Sequence, residues 1–208
     1  GWVLDSVSSP CTKTGDTTAT VTLTSSEPDV SCTFTNIQQK GSITIVKDAQ
    51  PDSSQDFAFT TTGTGLSDFS LDDDTDTTLS NTKTFSNLVA GTYTVTEGTV
   101  TSWDLSNLTC TDPTSNSTIS GSTATINLAP GENVTCTYTN TMRGVIGGYK
   151  YEDLDGNIST TGDRVNVPGW TIELWQGTTK IGETTTTETG YSFGDLTPGN
   201  YTLKEVGQ

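Results

Sequence analysis

Phe85-Ser-Asn-Leu-Val-Ala-Gly91-Thr-Tyr93-Thr-Val-Thr-Glu97 reads as two strands about a tight Ala-Gly turn, and it occurs twice in the chain. The second copy is Phe193-Gly-Asp-Leu-Thr-Pro-Gly199-Asn-Tyr201-Thr-Leu-Lys-Glu205. In both, apolar residues alternate with Thr, Lys or Asn, the period of a strand with one buried face. A second repeated block lies elsewhere. Trp103 is followed by Cys110 and by Val134-Thr-Cys136-Thr-Tyr138-Thr-Asn140, as Trp2 is followed by Cys11 and by Val30-Ser-Cys32-Thr-Phe34-Thr-Asn36. Residues 41–141 therefore contain both blocks in order and read as one complete β-sandwich domain.

The flanking regions each carry one block. Residues 1–38 read as the C-terminal half of a β-sandwich, and residues 144–208 as the N-terminal half of another. Placed in the order Glu205-Val-Gly-Gln208 then Gly1-Trp2, the two halves match Glu97 to Trp103 within one residue and together make an ordinary domain. The expectation is a unit that repeats head to tail, residues 1–38 of the next subunit or repeat completing residues 144–208. An arbitrary cut in a longer protein is the alternative.

Composition agrees with all-β architecture. Of 208 residues, 30% are apolar and 16% charged, which suits strands that set Thr against an inward apolar residue. Strands are expected at 2–7, 18–24 and 30–36, with a polar break at 13–17. The complete domain should hold strands at 42–47, 56–61, 69–71, 82–88, 92–96, 103–110, 123–128 and 134–139. The last segment should hold them at 145–151, 170–176, 179–186, 191–193 and 201–205. Glu27-Pro28-Asp29, Asp112-Pro113 and Pro130-Gly131 mark turns. The class is tandem Ig-like or prealbumin-like sandwiches.

A net charge of −16 with no histidine disfavours nucleic acid, whose phosphates need clustered Lys and Arg. It also removes the commonest general base and metal ligand. No window is apolar enough to insert in a membrane as a helix. The four cysteines fall into Cys11 with Cys32 and Cys110 with Cys136, one pair per repeated block. They are expected as disulfides in an oxidising, extracellular setting.

The motif order Ile43-Thr-Ile-Val-Lys47, Phe85-Ser-Asn-Leu, Gly91-Thr-Tyr-Thr-Val-Thr-Glu97 and Tyr138-Thr-Asn140 resembles the prealbumin-like Cna-B/SpaA repeats of prokaryotic surface proteins and pilins. Gly147-Gly-Tyr-Lys150-Tyr-Glu-Asp-Leu-Asp-Gly156-Asn with Val167-Pro-Gly-Trp170 resembles the SdrD B-type variant. The resemblance implies an extracellular stalk or pilus module, often carrying an internal Lys–Asn isopeptide bond.

Alternation tests that implication from the residues alone. Lys47 shares a strand face with Ile43 and Ile45, Glu97 with Tyr93 and Val95, Asn140 with Val134, Cys136 and Tyr138. Three polar groups thus point where core residues should, and should meet one another. Burial drives lysine toward the neutral amine and glutamate toward the protonated acid. Lys47 could then attack the Asn140 amide with Glu97 relaying the proton. Lys150, Glu205 and Asn36 form the same trio in the split domain. An ordinary Lys–Glu pair at the sandwich rim is the plainer alternative.

Asp153, Asp155, Asn157 and Asp163 have the oxygen ligands and the Gly156 turn of a calcium loop, although Arg164 stands where an EF-hand places its bidentate Glu. A solvated acidic turn is the other reading. Asp72-Asp73-Asp74-Thr75-Asp76 reads as a solvated loop, with calcium binding as the second reading. Asn107, Asn116, Asn133, Asn157 and Asn200 open glycosylation sequons. No nucleophile–base pair suggests turnover catalysis. The function expected is a structural subunit of an extracellular filament, pilus or surface stalk, joined to copies of itself or to neighbouring repeats, with no cofactor required. An adhesin module binding a glycan or a protein is the second reading.

Overall fold

The computed structural model describes all residues except 28, 158, 160, 161, 163 and 208. It is all-β among those residues and divides into two compact units, residues 1–99 with 105–140 and residues 100–104 with 141–208.

The first unit begins with β1 (Trp2–Val7), β2 (Thr12–Lys13), β3 (Ala19–Thr20) and β4 (Phe34–Gln38). β1 and β4 pair antiparallel, Leu4 opposite Asn36, and β2 pairs with β3. The strand expected over 18–24 is only Ala19–Thr20, and the polar break at 13–17 starts inside a paired strand. Ala19, Val21 and Leu23 do mark an apolar face, but Val21 and Leu23 are exposed, so no burial rewards extending the ladder and pairing ends early. The strand expected from Val30 starts at Phe34. Cys11 and Cys32 are joined by a disulfide.

The sandwich follows, as β5 (Gly41–Gln50), β6 (Ser53–Thr62), β7 (Phe69–Asp73), β8 (Thr82–Leu88), β9 (Gly91–Glu97), β10 (Trp103–Thr111), β11 (Thr118–Ser120), β12 (Thr123–Leu128) and β13 (Asn133–Met142). One sheet runs β10-β13-β5-β8 and the other β11-β12-β9-β6-β7. Every second residue of β5 from Gly41 to Ala49 is buried, and the same holds for Tyr93, Val95 and Glu97 on β9 and for Val134 to Asn140 on β13. Inward Ile43, Ile45, Phe57, Phe59, Ile126 and Tyr138 form the core. Each large side chain buried there stabilises the sandwich by about 1.5–3 kcal/mol.

β5 and β13 run in the same direction. Ser42 meets the Asn133 side chain and Lys47 the Asn140 side chain, so both numbers climb together. Their close approach requires a glycine at the start of β5. A Cβ on residue 41 would collide with the Glu132 carbonyl oxygen, which accepts the Ser42 N–H at 2.9 Å. The Cys110–Cys136 disulfide ties β10 to β13.

Asp112 closes the loop after β10. Its carboxylate accepts the backbone N–H groups of Thr114, Ser115, Asn116 and Ser117 at 2.8–3.1 Å. Burial pushes its pKa up, but the bonds from Ser117 and Thr114 outweigh that and hold it below the usual carboxylate range. D112A should cost about 1–3 kcal/mol at neutral pH, because these donors lose a charged acceptor. A depressed pKa contributes stability above the unfolded carboxylate value. In urea melts the wild-type advantage should shrink only once pH falls below about 4.

The second unit holds β14 (Gly144–Gly148), β15 (Tyr151–Asp153), β16 (Arg164–Asn166), β17 (Thr171–Gln176), β18 (Thr179–Thr185), β19 (Tyr191–Leu196) and β20 (Thr202–Glu205). β14 pairs with β19, β15 with β16, and β17 lies between β18 and β20. The single strand expected over 145–151 is interrupted at Tyr149 and Lys150, after the flexible Gly147-Gly148 pair. Arg143 joins this unit through a bidentate pair with Asp104, at 2.6 and 2.9 Å.

Candidate functional site

Lys47, Glu97 and Asn140 meet inside the sandwich. Each stands at the inward position that alternation assigns it, and all three are buried, Lys47 to 1% exposure. The Lys47 Nζ donates to Asn140 Oδ1 at 2.8 Å, to the Tyr138 carbonyl at 2.9 Å and to the Asp48 carbonyl at 3.1 Å. Glu97 Oε1 lies 3.7 Å from the same nitrogen. Asn140 also hydrogen-bonds the Glu97 carboxyl. The Phe57 ring faces the ammonium at 4.1 Å, and Phe59, opposite Glu97 in the β6–β9 ladder, sets its ring edge-on against Tyr138 at 5.1 Å.

Electrostatics follow from this packing. Desolvation lowers the Lys47 pKa, opposed by the nearby Glu97, Asp48 and Asp73 charges. Desolvation also raises the Glu97 pKa, opposed by Lys47 and by the bond from Asn140. Both shifts favour the neutral forms, a free amine beside a protonated acid and a primary amide. Glu97 Oε1 is buried and accepts no hydrogen bond. An arrangement of this kind can exchange one amide for another and offers little to a substrate from outside.

Residues 43–142, the stretch that contains this trio, match the SpaA-type family described as a prealbumin-like fold domain. The central region is similar to SpaA-type prealbumin-like domains. Solved structures similar to the chain include the Bacillus anthracis TIE protein, at 16% identity and a TM-score of 0.39 over 85% of this chain and 30% of that one. A streptococcal ancillary pilin matches at 14% identity and a TM-score of 0.32 over 81% of this chain and 54% of its own. The chain thus spans less than two thirds of either. No curated protein matches the chain.

The second trio is divided. Lys150 and Glu205 form an ion pair at 3.1 Å, with the Lys150 ammonium 4.6 Å from the Trp170 ring centre. The pair is partly exposed, unlike its counterpart in the prealbumin-like domain. Asn36 belongs to the first unit, on β4, and faces solvent. Alternation gave Cys32, Phe34 and Asn36 a buried face. Instead Phe34 is exposed, because β1 and β4 form a ribbon with no second sheet over it.

Asp153 ends β15 with both carboxylate oxygens buried and without hydrogen-bond partners. Asp155 accepts the Asn157 N–H at 2.7 Å and Asn157 accepts the Ser159 N–H at 3.1 Å. Asp163, the fourth member of that expected calcium loop, lies outside the described residues. The five sequon asparagines, Asn107, Asn116, Asn133, Asn157 and Asn200, are exposed. For a different acidic group sequence reasoning preferred the solvated reading. Asp72 is 2% exposed, so the loop it opens is not simply solvated. The available signal was the i, i+2, i+4 spacing of Asp72, Asp74 and Asp76.

Proposed function

We propose that the chain is a structural module of an extracellular filament or surface stalk, in which a Lys–Asn amide stiffens each β-sandwich. The observation that carries this reading is the enclosed Lys47–Glu97–Asn140 trio. In the reaction, the neutral Lys47 Nζ attacks the Asn140 side-chain carbonyl carbon. Glu97 protonates the carbonyl oxygen, takes a proton from the attacking nitrogen and passes it to the departing nitrogen, and recovers its own proton from the oxygen as the carbonyl re-forms. A C–N bond to lysine forms, the C–N bond of the primary amide breaks, and one ammonia leaves. The acid is regenerated, so the event needs no cofactor and occurs once per domain.

The same chemistry extends to assembly. Lys150 and Glu205 stand as Lys47 and Glu97 do, while their amide partner Asn36 lies on the β1–β4 ribbon. That ribbon exposes Trp2, Phe34 and Ile37, and the second unit exposes Val145, Tyr149, Leu203 and Val206. Apolar strand faces of this kind are covered when another chain supplies the missing strands. The occupant we assign is the 1–38 segment of a second copy, bringing Asn36 to Lys150.

Copies grown with ordinary and heavy nitrogen should be mixed, digested and examined by tandem mass spectrometry. Mixed-isotope peptides joining Lys150 to Asn36, with loss of one ammonia, are the expected product. They should vanish in K150A and N36A. Unmixed links only would place both halves in one continuous polypeptide. A monomer at every concentration with free Lys150 would overturn the assembly reading and turn attention to the adhesive alternative.

A further inference from the structure

We infer that the β7–β8 corner of the prealbumin-like domain is a calcium site built from Asp72, Asp74 and Asp76. Carboxylate oxygens of these three residues lie within 4.8 Å of one another. Oxygens sharing one Ca²⁺ at 2.3–2.6 Å can be no farther apart than about twice that distance. The spacing therefore fits a single ion held between them.

The independent observation is Asp72 itself. It is 2% exposed, and its Oδ2 is buried without a hydrogen-bond partner. Leaving a carboxylate oxygen dry and unpaired is costly, and a hard cation is the partner that removes the cost. The charges that act on Asp72 are the carboxylates of Asp74, Asp76 and Asp56, so its neighbours add repulsion rather than relief. Asp73 is engaged elsewhere, accepting the Ala49 N–H at 2.8 Å and the Asn81 amide at 3.2 Å. That fixes the strand so that its even-numbered neighbours turn the other way.

The outer ligands are already oriented. Asp74 Oδ1 accepts the Asp76 N–H at 2.8 Å, and Asp76 Oδ1 accepts the Thr78 N–H and hydroxyl, both at 2.7 Å. One oxygen of each remains for an ion. Three carboxylates on a half-open loop, with room for water, suit the variable coordination of calcium better than the strict octahedron of magnesium.

The test is calorimetric titration of the intact chain with calcium chloride after chelator treatment, together with thermal melts. One site with a dissociation constant of about 10⁻⁴–10⁻³ M, the range of extracellular modules, is expected, and calcium should raise the melting temperature. D76N alters an exposed residue and should leave the fold intact while weakening binding at least tenfold. D72N should do the same, with far-ultraviolet circular dichroism confirming its fold. D155N, in the other acidic loop, should bind calcium like wild type. Absence of binding to wild type, undiminished binding in D76N, or loss of binding in D155N would each overturn the assignment.

Discussion

N140A should be a far less stable protein than wild type, and one that keeps the full mass of its own sequence. Without the amide no ammonia is lost, and intact-mass measurement should show wild type one ammonia lighter than its sequence while the variant matches its own. Lys47 and Asn140 are separated by 93 positions, and closing a loop of that size is worth about 4–5 kcal/mol by chain entropy. Removing one member of a buried polar group also strands the others, on the order of 3–5 kcal/mol. The two effects overlap. A loss of at least about 4 kcal/mol, or roughly 15–30 °C in Tm for a domain of this size, is the expected result. A wild type with full sequence mass would refute the crosslink.

The same variant should acquire a distinctive pH profile. The raised Glu97 pKa makes stability fall as pH climbs from about 4, the unfolded carboxylate value, through the folded value. The lowered Lys47 pKa makes stability recover as pH climbs from the folded amine value to about 10. Unlinked protein is least stable between those ranges. Linked protein has no free amine at residue 47 and should lack the recovery on the alkaline side.

F59A should be the most damaging apolar substitution near the site. Phe59 is buried, stacks on Phe69 at 4.9 Å between ring centres, and meets Tyr138 edge-on. Truncation to alanine should cost about 3–5 kcal/mol, read as a lower urea midpoint. A second consequence separates this residue from any other core position. The cavity would open beside Glu97, its ladder neighbour, and admit water to the carboxyl. Hydration favours the ionised acid, which cannot protonate the amide, so F59A should emerge with a mixture of linked and unlinked mass. A conservative F59L, which refills most of the space, should restore complete linkage. Full linkage in F59A would show that packing around Glu97 is irrelevant to the chemistry.

How legible this was depended on alternation. β5, β9 and β13 each place an apolar residue at every other position up to the polar one, so Lys47, Glu97 and Asn140 could be assigned to the interior from the sequence. The boundaries of β8 and β12 were equally plain, since Phe85, Leu88, Ala124 and Ile126 punctuate Thr-rich runs. At 18–24 Ala19, Val21 and Leu23 mark a face just as plainly, yet Val21 and Leu23 stay exposed and the strand shrinks to Ala19–Thr20, because alternation alone does not say whether a face is covered. Gly147-Gly148 likewise hid the break before Lys150, because glycine shows no alternation. Asp72 misled for the opposite reason. It follows inward Leu71, so alternation assigns it to the outer face, yet both residues are buried beside the register shift between Ser53 and Phe57 in the paired strand. Nothing local to an acidic run announces that.

The parallel neighbours β5 and β13 bear on how such a module carries tension. The chain enters the sandwich at the start of β5 and leaves at the end of β13, so a pull on the two ends slides these strands past each other. All the hydrogen bonds between them are loaded together rather than opened one after another. A Lys47–Asn140 amide shortens the force path further, from Gly41 along β5 to Lys47 and across to the last residues of β13. Every residue between the two crosslinked positions would hang off the load-bearing line as a slack, protected loop. A stalk made of such modules would transmit force almost without lengthening.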